Sequence, residues 1–290
     1  MVLIADSGST KTDWNTLNTT DVLQNVQTIG FNPMYQESDD IYTELEKSLL
    51  PQLKEKAPSA IYFYGAGCSS PERNKRVSDA LARLFPQSDI HVDHDLLSAA
   101  RAVCGHKPGI ACILGTGSNT CLYDGNKIID NVPSLGFLLG DEGSGAYLGK
   151  LLLRAYFYRE LPEELAKSLK NTYQLSKDTF LDTLYSAEVP SRYVATFAKF
   201  MHDKRKHPVI KEMIFENFEL FFDRHVVKYD GHDELPVNFV GSIAYYFSDI
   251  LKTAAKKYGL RVGTIIQSPS EGLIKYHQEL LQKSGAPNNE

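Results

Sequence analysis

Cysteine is scarce and poorly spaced for metal chemistry. Cys68, Cys104, Cys112 and Cys121 stand 36, 8 and 9 residues apart, with no Cys-x-x-Cys pair and no His at zinc spacing. That excludes a zinc ribbon and a disulfide framework, and it predicts small, buried apolar residues in a reducing compartment. No apolar run approaches the roughly 18 residues that would span a bilayer. A basic leader is also lacking: Met-Val-Leu-Ile-Ala-Asp6 places a carboxylate after a short apolar stretch, so a cytoplasmic location is expected. Positive charge is not in excess either. Thirty-one Lys and Arg against 36 Asp and Glu leave a net charge of −5, which offers no footprint for nucleic acid or an anionic membrane. What is present is globular material: 290 residues, 42% hydrophobic and 11% aromatic, enough for two domains of ordinary size.

The opening stretch reads as strand, tight polar turn, strand: Val2-Leu-Ile-Ala-Asp6, then Ser7-Gly8-Ser9-Thr10, then Lys11 to Leu17. The pattern returns 109 residues later as Ile110 to Leu114, Gly115-Thr116-Gly117-Ser118, and Asn119 to Tyr123, with a further Asp124-Gly125 turn into Asn126 to Asp130. Two copies of one hairpin, each opening half of the chain, indicate internal duplication rather than a short solenoid repeat. The expected domains are 1–108 and 109–290, with the last helix packing back on the first. Strands are predicted at 60–64, 89–92, 235–240 and 263–266. Helices are predicted at 39–53, 74–85, 95–103, 141–158, 190–202, 208–229, 243–258 and 271–283. The aromatic stripe of Ile214, Phe218, Phe221 and Phe222 reads as core. Alternating strands and helices behind antiparallel hairpins make a mixed-sheet α/β fold.

A turn of Gly, Ser and Thr between two strands offers several backbone N–H groups where no bulky side chain blocks a phosphate. One such turn is ordinary hairpin chemistry. Two, opening duplicated halves, could clamp one nucleotide. Neither is a P-loop, because the first glycine and spacer are missing and a strand follows. Asp6, beside the first turn, suits Mg²⁺ directly or through water, or else an Asx-turn; Asp13 reads as structural. Asp95 begins a helix, so it is either an N-cap or a base that takes the proton of an attacking hydroxyl. A metal site from His91, Asp93, His94 and Asp95 is disfavoured by strand alternation. In Gly136 to Gly145, Asp141 either caps the next helix or accepts paired sugar hydroxyls between glycines. Asn32 opens an Asn-Pro turn or binds a sugar through its amide. Gly65-Ala-Gly67 lacks the rest of a dinucleotide fingerprint.

These residues together resemble the actin, hexokinase and Hsp70 superfamily. Asp6 to Thr12, Asp95, Gly115 to Ser118, Gly140 to Ser144 and the strand-Gly241-Ser242-helix element carry the likeness. Within that superfamily the chain is similar to the N-acetylglucosamine kinase and BadF/BadG ATPase branch, over most of its length. The resemblance implies two ribonuclease-H-like domains, arisen by duplication, that close around ATP, Mg²⁺ and an amino sugar and transfer the γ-phosphoryl to the sugar 6-hydroxyl. It assigns Gly8, Ser9, Thr10 and Lys11 to the first phosphate turn and Thr116, Gly117 and Ser118 to the second. Asp95 becomes the base; Asn32, Asp95, Gly136 and Asp141 become sugar contacts; Gly241 and Ser242 lie by adenosine; Asp6 holds the metal. Two departures stand out: Gly241-Ser242 where Gly-Gly is usual, and Leu135 where a Trp often precedes the glycine. The first leaves the nucleoside contact open, and the second leaves N-acetylmuramate and glucosamine open beside N-acetylglucosamine. A homodimer is compatible with the branch. The rival reading there is an ATPase that activates a dehydratase through a [4Fe–4S] cluster held by exposed thiolates; a sugar or nucleotide sensor is the non-enzyme alternative.

Overall fold

The first strand, β1 (Val2–Ser7), is almost wholly apolar because it runs mid-sheet with both faces covered: Val2, Leu3, Ile4 and Ala5 are all buried. The computed structural model describes residues 1–8 and 11–285 and divides into two compact units. Met1–Lys107, Gly125–Lys127 and the segment from Pro269 onward form the first; Pro108–Asp124 and Ile128–Ser268 form the second.

In the first unit β1 pairs antiparallel with β2 (Lys11–Leu17), and β2 antiparallel with β3 (Val22–Ile29). On its other side β1 runs parallel to β4 (Ala60–Gly65), and β4 parallel to β5 (Asp89–His94). The strand order is β3-β2-β1-β4-β5. The second unit repeats this with β6 (Gly109–Leu114), β7 (Ser118–Tyr123), β8 (Ile128–Asp130), β9 (Pro236–Val240) and β10 (Arg261–Ile266). Their order, β8-β7-β6-β9-β10, and the sense of every pairing match the first sheet strand for strand. The fold is α/β with two mixed five-stranded sheets related by duplication.

Alternation along the strands gives each face of the first sheet its own task. Leu3, Ala5, Ile61 and Phe63 pack with Ile41 and Leu45 of the helix Ser38–Ser48 and with Val77, Ala80 and Leu81 of the helix Pro71–Leu84. The opposite face carries Asp6, Tyr62 and Tyr64, which meet the helices Asp95–Cys104 and Ser270–Gly285. In the second unit Ile110, Cys112, Leu114 and Phe239 share a core with Leu148, Leu152 and the stripe Ile214, Phe218, Phe221 and Phe222. That stripe is wholly buried.

Several expected boundaries shift. The helix expected from Asp141 begins at Gly145 and is capped by Ser144, whose hydroxyl accepts from the Tyr147 N–H; Asp141 is therefore not its cap. The helix expected over 208–229 ends at Arg224, and that over 243–258 breaks at Phe247. Strand β3 and the helices Glu163–Tyr173 and Lys177–Ser186 lay outside the sequence reading. Cys68, Cys112 and Cys121 are buried, whereas Cys104 is only half-buried.

Candidate active site

In the first unit, Asp6 on β1 stands in register with Asp13 on β2 and Tyr64 on β4, and Tyr64 with Asp93 on β5. Residues in register share a sheet face, so three carboxylates and a phenol form one row. The helix Asp95–Cys104 lies over that row. The Ser98 hydroxyl donates to Asp6 Oδ1 at 3.1 Å, and Arg101 donates to the Tyr64 hydroxyl. Asp95, Ser98 and Arg101 recur every third residue, which places the Asp95 carboxylate on the helix face that meets the sheet. Burial pushes Asp6 up to about 7, helped by the Asp95 and Asp13 charges and opposed by Ser98 and Lys11. Carboxylates that repel one another in a desolvated setting suit a divalent cation. Among the described residues no group of three or more His, Cys, Asp or Glu could hold a metal alone, so a cation here would draw the rest of its shell from water or ligand oxygens.

The cap reading of Asp95 is overturned. His94 is the N-cap: its Nδ1 accepts from the Leu96 N–H at 3.0 Å. Asp95 Oδ1 lies 2.7 Å from the same nitrogen, and one ring nitrogen cannot accept from Leu96 and donate to Asp95 at once. Burial lowers the His94 pKa, but the bond and charge of Asp95 outweigh it, and the net shift is upward. The N-cap position thus belongs to His94, and the Asp95 carboxylate is paired with the His94 ring.

The β1–β2 turn closes through Gly8 N–H to the Lys11 carbonyl at 3.0 Å, and Lys11 pairs with Asp13 at 2.8 Å. Ser9 and Thr10 lie outside the described residues. At the end of β1 a chain of bonds fixes the segment that carries Asn32. The Phe31 N–H donates to Ser7 Oγ at 3.0 Å, the Ser7 hydroxyl to Thr12 Oγ1 at 2.7 Å, and Thr12 to the Ile29 carbonyl at 3.0 Å. Asn32 Oδ1 accepts from the Met34 N–H at 2.9 Å, the turn chemistry expected of Asn-Pro. Its amide nitrogen has no partner among the described residues. Gly67, at φ 84°, makes room for it, since a Cβ there would lie 2.2 Å from Asn32 Oδ1. Gly65-Ala-Gly67 thus seats Asn32, a role that its failure as a nucleotide fingerprint concealed.

In the second unit the Gly115-Thr116-Gly117-Ser118 turn is pinned to the start of the helix Gly145–Phe157. Gly145 N–H donates to the Gly115 carbonyl at 2.9 Å and Ala146 N–H to the Thr116 carbonyl at 3.0 Å. Thr116 itself is exposed. Ser118 Oγ is buried with no partner among the described residues, an orphan that a ligand oxygen would satisfy. The Ser118 N–H donates to Asp141 Oδ1 at 3.3 Å, and the Ser134 hydroxyl donates to the same oxygen at 3.2 Å. Asp141 Oδ2 has no hydrogen-bond partner among the described residues. The residue is buried at φ 65°, a left-handed conformation that costs a non-glycine residue energy and gathers at functional sites. Burial raises its pKa against the pull of Ser118, Ser134 and Lys150. Gly136, at φ 70°, opens the short helix Gly136–Leu139. Beside Asp141, buried Glu142 binds Arg224 and lies 3.4 Å from His225 Nε2, tying this loop to the end of the helix Pro208–Arg224.

Gly241, at φ 123°, ends β9 against the second turn: a Cβ would lie 2.3 Å from the Leu114 carbonyl oxygen. Ser242 follows it and lines a cavity of about 540 Å³ with Thr196, Lys199, His202, Tyr246 and Phe247, a volume suited to a nucleoside-sized ligand. Nothing in the sequence signalled the parts that Ser98 and Ser134 play, nor the bonds made by Ser7, Thr12 and His94. Their partners are 5 to 92 residues distant or decided by where a strand stops, so no local pattern marks them.

Neither a family model nor a curated protein matches the chain. Among solved structures it is similar to the putative N-acetylglucosamine kinase of Porphyromonas gingivalis, with 42% identity over 96% of this chain and 99% of that one, at a TM-score of 0.90. It also resembles the putative N-acetylglucosamine kinase of Chromobacterium violaceum, with 18% identity over 95% and 98% at 0.73. The ROK hexokinase of Thermus thermophilus matches with 14% identity over 98% and 99% at 0.54. The latter two speak for the fold alone.

Proposed function

We propose that this chain, which belongs to the N-acetylglucosamine kinase and BadF/BadG family of actin-like ATPases, phosphorylates the 6-hydroxyl of N-acetylglucosamine or a close N-acetylhexosamine at the expense of ATP. The coarser statement, a sugar kinase, follows from the family. The observation that supports phosphoryl transfer to a hydroxyl is Asp95 on the helix face that Ser98 ties to Asp6; the N-acetylhexosamine and its 6-hydroxyl rest on the likeness to the family.

In this reading Asp95 accepts the proton of the sugar hydroxyl as that oxygen bonds to the γ-phosphorus and the bond to ADP breaks, a general-base contribution of roughly 10² to 10⁴-fold. The Asn32 amide, without a partner among the described residues, suits a sugar hydroxyl; Asp141 Oδ2 suits one likewise, and Gly136 allows close backbone approach. The turn of Gly8, Ser9, Thr10 and Lys11 suits phosphate oxygens, and the turn of Thr116, Gly117 and Ser118 suits them likewise. Gly241 and Ser242 border the cavity for adenosine. Asp6, close to Asp13 and Asp95, would hold Mg²⁺, which neutralises phosphate charge when bound. The activator alternative needs accessible thiolates; Cys68, Cys112 and Cys121 are buried, and Cys104 alone is partly exposed. A reducing, ATP-bearing compartment such as the cytoplasm suits the reading.

ADP release measured with N-acetylglucosamine, N-acetylmuramate and glucosamine tests it. Sugar-dependent release with an N-acetylhexosamine, yielding a 6-phosphate by NMR, is the expected result; release that ignores sugar would overturn the proposal. Asp95→Asn should bind ATP and sugar nearly as the parent does while kcat falls at least about 10²-fold.

A further inference from the structure

The face of the first sheet that carries Asp6 also carries a buried cluster for which the proposed chemistry has no direct use. Arg101 donates to the Tyr64 hydroxyl, and that hydroxyl lies 2.8 Å from His277 Nε2. A guanidinium only donates, so the Tyr64 oxygen accepts from Arg101, and it shares a second hydrogen bond with His277 Nε2 whose direction is set by the imidazole tautomer. The imidazole is neutral, since burial and the Arg101 charge push it down to about 3. Its Nδ1 is buried with no partner among the described residues. A buried polar atom left without a partner is costly, and retaining it points to a geometric task. His277 also lies tilted against Tyr62 with ring centroids 4.4 Å apart, and Arg101 lies 5.0 Å from the Tyr276 ring centre. Gly272 completes the arrangement, because a Cβ there would lie 2.3 Å from the Ala102 carbonyl oxygen. The helices Asp95–Cys104 and Ser270–Gly285 thus touch backbone to backbone.

All of these contacts converge on one helix. Ser98 is fastened to Asp6 on β1, Arg101 to Tyr64 on β4, and Ala102 lies against Gly272 on the final helix. Three fixings within two turns leave the helix neither rotation nor slide, and its first residue is Asp95. A general base tolerates little misplacement: about 1 Å can cost roughly 10²-fold in rate.

We propose that Tyr64, Arg101 and His277, with Gly272 as the spacer, are positioning residues that set the height and rotation of the helix Asp95–Cys104 and so aim the Asp95 carboxylate. The inference rests on the reading of Asp95 as the base.

The test is a double-mutant cycle between Tyr64→Phe and Asp95→Asn, with kcat and both KM values measured on the full chain with ATP and N-acetylglucosamine. Tyr64→Phe keeps the ring and removes the relay. It should lower kcat roughly 10-fold while each KM moves less than about two-fold. In the Asp95→Asn background the same change should leave the residual rate unaltered, since a residue acting through Asp95 has nothing left to aim. His277→Gln, whose amide oxygen can accept from Tyr64, should retain most of the kcat that His277→Leu loses. An unchanged kcat in Tyr64→Phe, or an equal factor in both backgrounds, overturns the inference while leaving the kinase reading intact. Near-normal turnover in Asp95→Asn overturns both.

Discussion

Asp6 and His277 are buried on the same sheet face and pull stability in opposite directions as pH changes. The folded pKa of Asp6 is raised to about 7. Between about pH 4 and 7 the native state therefore holds a proton that the unfolded state has lost, and stability rises as pH falls through 7. The folded pKa of His277 is lowered to about 3. Below about pH 6.5 the unfolded chain binds a proton that the native chain refuses, and stability falls with pH. At about 1.4 kcal/mol per pH unit of displacement, the two effects nearly cancel between pH 7 and 5. Single substitutions should expose each one. Asp6→Asn is expected to melt several degrees higher than the parent at pH 8, to lose that advantage toward pH 5, and to lose Mg²⁺-dependent turnover. His277→Gln should melt higher at pH 5 than at pH 8. Thermal scans in matched buffers check both, and parallel pH profiles for parent and variants would refute them. Asp6 and Asp95 could be singled out from the sequence because each stands at the end of a recognisable strand or the start of a helix. That Ser98 bonds Asp6, or that His94 caps in place of Asp95, was not legible. The first depends on a contact across 92 residues, the second on β5 ending at His94.

Two glycine-dependent turns set the ligand loops, one in each unit, and each should fail in its own way. At Gly67 a Cβ would strike Asn32 Oδ1, and at Gly241 it would strike the Leu114 carbonyl, both at positive φ. Gly67→Ala is expected to displace Asn32 and raise the sugar KM about 10-fold or more, with the ATP KM little changed. Gly241→Ala should push Ser242 and the cavity wall away from the second turn and raise the ATP KM by a similar factor, sparing the sugar KM. Steady-state kinetics with each substrate varied in turn separates them; an equal rise in both constants for either variant would mean general loosening. The strands flanking these turns were readable because central strands are apolar runs. Strand β3 escaped notice because half of it is polar and it lies at the edge, with only Val26 and Thr28 buried, so it lacks the apolar run that marks β1. The helix Glu163–Tyr173 escaped for a similar reason, burying only Leu165 and Leu169. The break at Phe247 is a matter of packing, for Phe247 is buried in the core, and no glycine or proline announces it.

The duplication was legible because it repeats a local signature, strand then Gly-Ser turn then strand, at a fixed offset of 109 residues. The structure extends that repeat to five strands in identical order and sense. What no periodicity could show is which loops on this doubled frame meet a ligand, and here the kinase reading parts from a sensor. Either would be stabilised by sugar. Ligand at 100 times its Kd adds about 2.7 kcal/mol, worth roughly 5–10 °C in melting temperature at this size. Only the kinase should in addition turn the sugar over when ATP and Mg²⁺ are present. Melting temperature and ADP release, measured on one preparation with the same amino sugars, should therefore rank the sugars alike. Asp95→Asn should keep the melting shifts and lose the turnover. A sugar that protects the parent strongly yet never releases ADP, with no other sugar doing so, would make this duplicated fold a binding module and remove the phosphoryl-transfer role from Asp95.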